Sequence, residues 1–209
     1  MQRRYDRPVD LTPGRVFAVF LMILTFTHAA AAQPPVRWAD GSRILVWVDP
    51  ADAPPGAAAL VDRAVAAWSA AIGPLATIQR SSSPAGAGIR VRFARSRGEY
   101  GETRPRVDPG TGMIRSADVV ITTDTGGDDP MTQRIVLYLT ALHELGHALG
   151  LRHTDDFSDI MYSFRRPDDG ERYFAAYRRR LRSPEDIGST AASGLSPRDL
   201  AAARELYRR

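Results

Sequence analysis

The stretch HELGHALGLRH, residues 143–153, constrains this chain more than any other and holds three of its four histidines. On a helix, His143 and His147 are separated by about 400° of turn, so the two imidazoles share one face about one turn apart. Glu144 stands roughly 100° around from His143 and reaches the same cleft without displacing either ring. Gly150 then stops the helix, because glycine takes a left-handed turn at little cost. On an unbroken helix, His153 would lie about 15 Å along the axis from His143. With the break, the reversing chain delivers His153 from outside the helix to a third position beside the other two.

Three neutral imidazoles around one ion leave its positive charge available. In an open site of this kind Zn²⁺ keeps a water in the fourth position, lowers its pKa to about 7 and polarises a carbonyl. Glu144 is placed to take a proton from that water and hand it to a leaving amine. The plainer reading is that these histidines are ordinary core or surface residues. Five fixed residues at fixed offsets, roughly one in twenty each, make a chance match on the order of one in ten thousand.

Composition removes several classes of function. Cysteine is absent, so there is no disulfide framework, thiolate metal site or cysteine nucleophile. Every basic residue is arginine, with a net charge of +4 and a pI near 9.8. No nucleic-acid partner is expected, because arginine and acid are interleaved. The one dense run, YRRRLR (177–182), reads as a solvated helical face. Residues 1–32 read as a secretory signal peptide: a basic lead, the apolar run VFAVFLMILTFT, and Ala30 and Ala32 before a cut. The run is 12 residues long, short of the roughly 20 that span a bilayer, so no stable membrane anchor is expected. Its removal leaves 24 Arg against 22 acidic residues, because Arg3, Arg4, Arg7, Arg15, Asp6 and Asp10 leave with it. The expectation is one mature domain, residues 33–209, secreted to the periplasm or the exterior as a monomer.

Within that domain RILVWVDP (43–50) reads as a strand, as do ATIQR, GIRVRFAR (88–95) and GMIRSADVVITTD (112–124). Ile89, Val91 and Phe93 alternate with Arg90 and Arg92, which suits a sheet covered on one side. The segment 54–74 places Val61, Val65, Trp68 and Ile72 on one helical stripe. A second long helix has Asp129 as N-cap, Pro130 at its first position, and Ile135, Leu139, Leu142 and Leu145 or Leu149 on its buried face. In LSPRDLAAARELY, Ser196 caps, Pro197 starts the helix and Asp199 closes a capping box. The fold class is α/β (α+β), with two long helices and a separate C-terminal one.

HELGHALGLRH resembles the extended zinc motif of the metzincins, HExxHxxGxxH. That family carries a methionine-containing turn beneath its zinc, and SDIMYS places Met161 eight residues after His153. HTDDFSDIMY resembles the matrixin branch, and AVAAWSAA and LSPRDLAAARELY resemble its first and last helices. The resemblance implies a metzincin-type catalytic domain: a twisted, mostly parallel five-stranded sheet, two long helices, a Met-turn and a C-terminal helix. It implies a secreted zinc endopeptidase with His143, His147 and His153 as ligands, Glu144 as general base and Met161 supporting the floor. A peptide or protein substrate would lie extended along an edge strand upstream of SADVVITTD, in the region 99–107. In sister branches the metal-approaching tyrosine lies two residues after the methionine. Here Tyr162 follows Met161 directly and is not assigned as a ligand.

The chain also departs from its relatives. No histidine is left for a second, structural zinc, and no cysteine for a latency switch. Ser163 stands where the family has proline, and segment 164–188 is longer than the family loop. That segment is expected to form the far wall of the pocket for the side chain after the scissile bond. Its helically spaced Phe174, Tyr177 and Leu181 favour core packing over substrate contact. Asp124, Asp128 and Asp129 around two glycines offer oxygen donors that suit Ca²⁺, against the plainer reading of a turn plus an N-cap. Two other functions share the motif: a catalytically silent secreted zinc-binding protein, and a metal-dependent amidase acting on cell-wall or other non-protein amides.

Overall fold

The computed structural model describes residues 36–95, 100–125 and 129–208 and contains one five-stranded sheet. The signal-peptide reading and Asp128 lie outside the described residues. The elements run β1 (Arg43–Val48), α1 (Ala57–Ile72), β2 (Thr77–Ser81), β3 (Ile89–Ala94), β4 (Gly101–Val107), β5 (Ile114–Thr122), α2 (Pro130–Ala148), α3 (Asp169–Arg178) and α4 (Pro197–Arg208). The strand order is β2-β1-β3-β5-β4. β1 pairs in parallel with β2 and β3, and β3 with β5, while β4 lies antiparallel on β5 at the edge. This is the mostly parallel five-stranded sheet that the metzincin resemblance implies, and its edge strand falls in the region 99–107.

Period-2 alternation sets which face is covered. In β3, Ile89, Val91 and Phe93 are buried while Arg90 and Arg92 are exposed. The helices α1 and α2 pack on this sheet and on each other, α1 against β1 and β2, α2 against β4 and β5. Helix α1 buries its predicted stripe of Val61, Val65, Trp68 and Ile72, together with Ala57, Leu60 and Ala64. Helix α2 is capped as expected: the Asp129 carboxylate accepts from Thr132 N–H at 2.9 Å, and Pro130 opens the first turn. It is buried well beyond its predicted stripe, at Val136, Leu137, Tyr138 and Ala141 too, because the sheet, α1 and α3 all press on it.

The segment 164–188, read from the sequence as a long loop with helical spacing, contains α3. Tyr177 and Leu181 are buried in the core, as that spacing predicts. Among the described residues no helix is long and apolar enough to cross a membrane.

Candidate metal centre

Helix α2 ends in a Schellman motif: Leu151 N–H donates to the Gly146 carbonyl at 3.0 Å and Gly150 N–H to that of His147 at 2.9 Å. Gly150 has φ of +102°, and a Cβ there would stand 2.1 Å from the Val36 carbonyl oxygen. Only glycine fits, on both counts. The remaining C-terminal carbonyls of α2 are taken by distant side chains. Trp38 Nε1 donates to Ala148 at 2.8 Å, and the Tyr207 hydroxyl to Leu149 at 2.9 Å. These contacts satisfy groups that a helix end otherwise leaves without partners.

The reversal after Gly150 brings His153 back to the helix. His153 Nε2 lies 3.2 Å from His143 Nε2 and 3.1 Å from His147 Nε2. All three ligand atoms lie within 4.8 Å of one another. Two imidazole nitrogens bound tetrahedrally at about 2.05 Å stand about 3.3 Å apart, so the spacing fits one small cation. Hydrogen bonds set the tautomers. His143 Nδ1–H donates to the Ile160 carbonyl at 2.6 Å, and His147 Nδ1–H to that of Leu151 at 2.9 Å. Each ring therefore turns an unprotonated Nε2 toward the common point, as metal-binding histidines do. Burial pushes all three imidazolium pKa values down, that of His143 to about 4, so the rings are neutral at pH 7. Lone pairs crowded at this distance repel without a cation between them. The donor set and its spacing suit zinc.

Met161 packs directly under the helix turn between His143 and His147. A Cβ on Gly146 would meet its sulfur at 2.4 Å and Trp68 at 3.1 Å, so Gly146 makes room for it. The chain around Met161 is held by pairing with the segment after His153: Thr154 N–H donates to the Met161 carbonyl at 2.8 Å and Ser163 N–H to that of Thr154 at 3.0 Å. The Tyr162 hydroxyl donates to Asp169 at 2.9 Å, away from the imidazoles.

Helix α4 anchors this turn. Asp199 Oδ2 accepts from Ile160 N–H at 2.9 Å and from Ser196 N–H at 2.8 Å. Asp199 N–H donates to Ser196 Oγ at 3.0 Å, which completes the predicted capping box. Ser196 Oγ–H donates in turn to Asp159 Oδ1 at 2.7 Å. Two carboxyl groups, 1% and 2% exposed, thus meet behind Ile160. Burial pushes the Asp199 carboxyl above the usual range, and the Asp159 charge pushes it the same way. The folded protein therefore holds this proton more tightly than the unfolded chain. The stability it contributes is present below the ordinary aspartate range and is lost as pH rises through the raised folded pKa. Asp199→Asn is expected to flatten that loss while keeping both N–H groups paired. Asp199→Ala leaves them unpaired and costs about 2–4 kcal/mol. Denaturant unfolding as a function of pH checks both, and equal pH slopes for the Asn variant and the wild type would count against the assignment.

A cavity of about 760 Å³ opens beside the imidazoles. It is lined by Tyr100–Thr103 at the start of β4 and by Phe164, Tyr173 and Phe174 from the long segment 164–188. Phe174 serves both core and cavity, since it is buried yet lines the wall with its ring edge-on to Tyr100 at 4.9 Å.

Glu144 lines this cavity and, as a residue, is 6% exposed. Its Oε2 lies 2.7 Å from the Thr103 hydroxyl on β4. Neither Thr103 nor the Asp159–Asp199 pair is marked by any local pattern. Asp129 serves as an N-cap, and among the described residues the three histidines form the one cluster of metal-ligating side chains.

β4 presents an open edge to the cavity. On β5, Ala117 N–H and Thr123 N–H donate toward β3, to the Gly88 and Ala94 carbonyls, while Thr122 N–H donates to Tyr100 of the other neighbour. With Gly101 opposite Ile121, Thr103 opposite Val119 and Pro105 opposite Ala117, the main-chain groups of Gly101, Thr103 and Pro105 turn outward. Pro105 has no N–H to offer there.

A helix-borne pair of imidazoles, a third returned by a glycine reversal, and a cleft walled by an edge strand define a zinc metalloprotease domain. The chain belongs to the matrixin family: the family model described as Matrixin, Peptidase M10, matches residues 53–174, more than half of its length. The match begins ahead of α1 and ends inside α3, so it takes in the three histidines and Met161. No curated protein matches the sequence.

Proposed function

We propose that the protein is a secreted endopeptidase that cuts extended peptide chains at the His143–His147–His153 centre. The convergence of three neutral imidazoles beside the buried Glu144 carboxylate carries this reading. A zinc ion bound by the three histidines supplies Lewis acidity toward water and the scissile carbonyl. The three rings fix where that chemistry happens, and Met161 supports the helix turn that presents two of them. Glu144, one residue from the first ligand, accepts the proton of the attacking water and returns it to the leaving amine as the C–N bond breaks. Pairing of the substrate with the outward groups of Gly101 and Thr103 holds the chain extended, in the manner of strand addition. Every residue named comes from one chain, and a monomer suffices.

A mixed peptide library incubated with and without chelator tests the reading. Internal cleavage that disappears with chelator is the expected result. Retained zinc with no cleavage of any peptide overturns it, in favour of a silent zinc-binding protein or an amidase on non-protein amides. Secretion is tested by the exported chain, which should begin at Gln33. Calcium at Asp124, Asp128 and Asp129 is supported only by their oxygen donors, and a calcium-dependent rise in unfolding midpoint is its test.

Two further outcomes follow from the geometry. His153→Ala removes one of three ligands and is expected to leave the purified protein with a small fraction of the wild-type zinc; unchanged occupancy by metal analysis would strike His153 from the set. Pro105→Ala places an N–H on the open edge. KM should fall roughly 2- to 10-fold, the worth of one hydrogen bond, for peptides long enough to pass that residue. Shorter peptides should be indifferent, and an equal change for both lengths would count against strand pairing.

A further inference from the structure

Glu144 is held from the side opposite its own helix. Thr103 is 41 residues away in sequence, and its Oγ1 lies 2.7 Å from Glu144 Oε2 and 2.9 Å from the carbonyl oxygen of the same residue. The hydroxyl has one proton to give. A bond to an ionised carboxylate is about twice as strong as one to a neutral carbonyl, so the carboxylate takes it. Two residues earlier, Gly101 leaves a gap that Glu144 fills: a Cβ at Gly101 would stand 2.7 Å from Glu144 Cγ and 2.8 Å from Oε1. Gly101 and Thr103 point their side-chain positions to the same face of β4, as residues two apart on a strand do. The start of the edge strand therefore leaves room at its first position for Glu144 and for the Thr140 methyl group, 2.8 Å from the same Cβ, and sets a donor for the carboxylate at its third.

We propose that Thr103 is a positioning residue for the reaction: its hydroxyl fixes the Glu144 carboxylate in the orientation from which it accepts and returns the proton. The inference rests on the reading of Glu144 as general base. A glutamate has three rotatable bonds, and a carboxylate free to swing spends part of its time away from the reacting atoms. Placement of a reacting group within a fraction of an ångström is worth large factors in rate, and these fall on kcat rather than on ground-state binding. The residue that takes the proton would thus be tied to the strand against which the substrate lies. The main-chain N–H and carbonyl of Thr103 face that substrate, and its side chain faces the base.

The test compares Thr103→Val, Thr103→Ala and Thr103→Ser, all zinc-loaded, on one peptide substrate. Val keeps the shape and removes the donor. Ala removes it without setting a methyl against the carboxylate, which guards against a Val variant that does not fold. Both are expected to lose roughly 10- to 100-fold in kcat, the worth of one hydrogen bond to a charged group, with KM and zinc content close to wild type. Ser restores the hydroxyl and should recover most of the rate. A readout independent of turnover is the unfolding midpoint in a double-mutant cycle. Thr103→Val should lower the midpoint more in the wild type than in the Glu144→Ala background, where the hydroxyl keeps only the main-chain carbonyl of residue 144 as acceptor. A fall in kcat shared equally by Ser, or a rise in KM with kcat kept, overturns the proposal, as does an additive cycle. If Glu144→Gln itself turns over normally, the base assignment fails and the rate argument with it. The cycle then still reports whether the hydroxyl holds the carboxylate.

Discussion

Glu144→Gln is expected to keep its zinc and lose about 10²- to 10⁴-fold in kcat. The substitution is nearly isosteric and keeps the contact with Thr103, since the amide oxygen still accepts that hydroxyl. The cavity, the turn around Met161 and the three imidazoles are left as they stand. What is lost is basicity: an amide does not take a proton from water near neutral pH. KM should change little, because the proposed binding mode holds the substrate by the edge of β4 and the cavity walls rather than by the carboxylate. Steady-state kinetics paired with metal analysis separate the outcomes. Wild-type turnover with full zinc would remove Glu144 from the proton path, and loss of zinc would mean that the variant reports on folding instead.

Gly150→Ala is expected to be among the most damaging single changes in the chain. A side chain at φ of +102° is strained, by about 1–2 kcal/mol for the left-handed region. The new Cβ would also stand 2.1 Å from the Val36 carbonyl oxygen, a clash that backbone must relieve by moving. Overpacking of this kind adds about 1–3 kcal/mol, for a total of about 2–5 kcal/mol. The relief has only two routes, and each has a visible consequence. If the N-terminal segment moves, Trp38 leaves the Ala148 carbonyl. If the reversal opens, His153 leaves its partners. The prediction is a sharply lowered unfolding midpoint together with weakened zinc retention. A variant as stable and as zinc-loaded as the wild type would show that the reversal tolerates another path.

Much of this architecture is legible without coordinates because its causes are local. The facing of His143 and His147 follows from helical periodicity, which needs no other part of the chain. The stop at Gly150, the N-cap at Asp129 and the capping box of Ser196 and Asp199 each involve residues within a single turn. The covered face of β3 follows from strict alternation. Helix α3 was less legible, because its first turn, Asp169-Gly170-Glu171-Arg172, carries no apolar stripe. It forms where Asp169 gathers the Arg165 and Arg166 amides and the Tyr162 hydroxyl, and where Tyr173 and Phe174 find a core to enter.

The sequence by itself determined the ligand trio as a candidate set, the helix that bears two of its members and the residue at which the chain must turn back. It did so because backbone geometry over a few residues is nearly independent of what lies beyond them. Only the tertiary structure decided that the turn converges, at nitrogen separations of 3.1 and 3.2 Å, and that Val36 closes on Gly150. It also decided that Thr103 meets the Glu144 carboxylate and that Asp199 supports the loop behind His143. Those contacts join residues 39 to 114 positions apart, and no local rule selects such partners. They are chosen by the packing of the whole sheet against its helices, which brings each pair within reach.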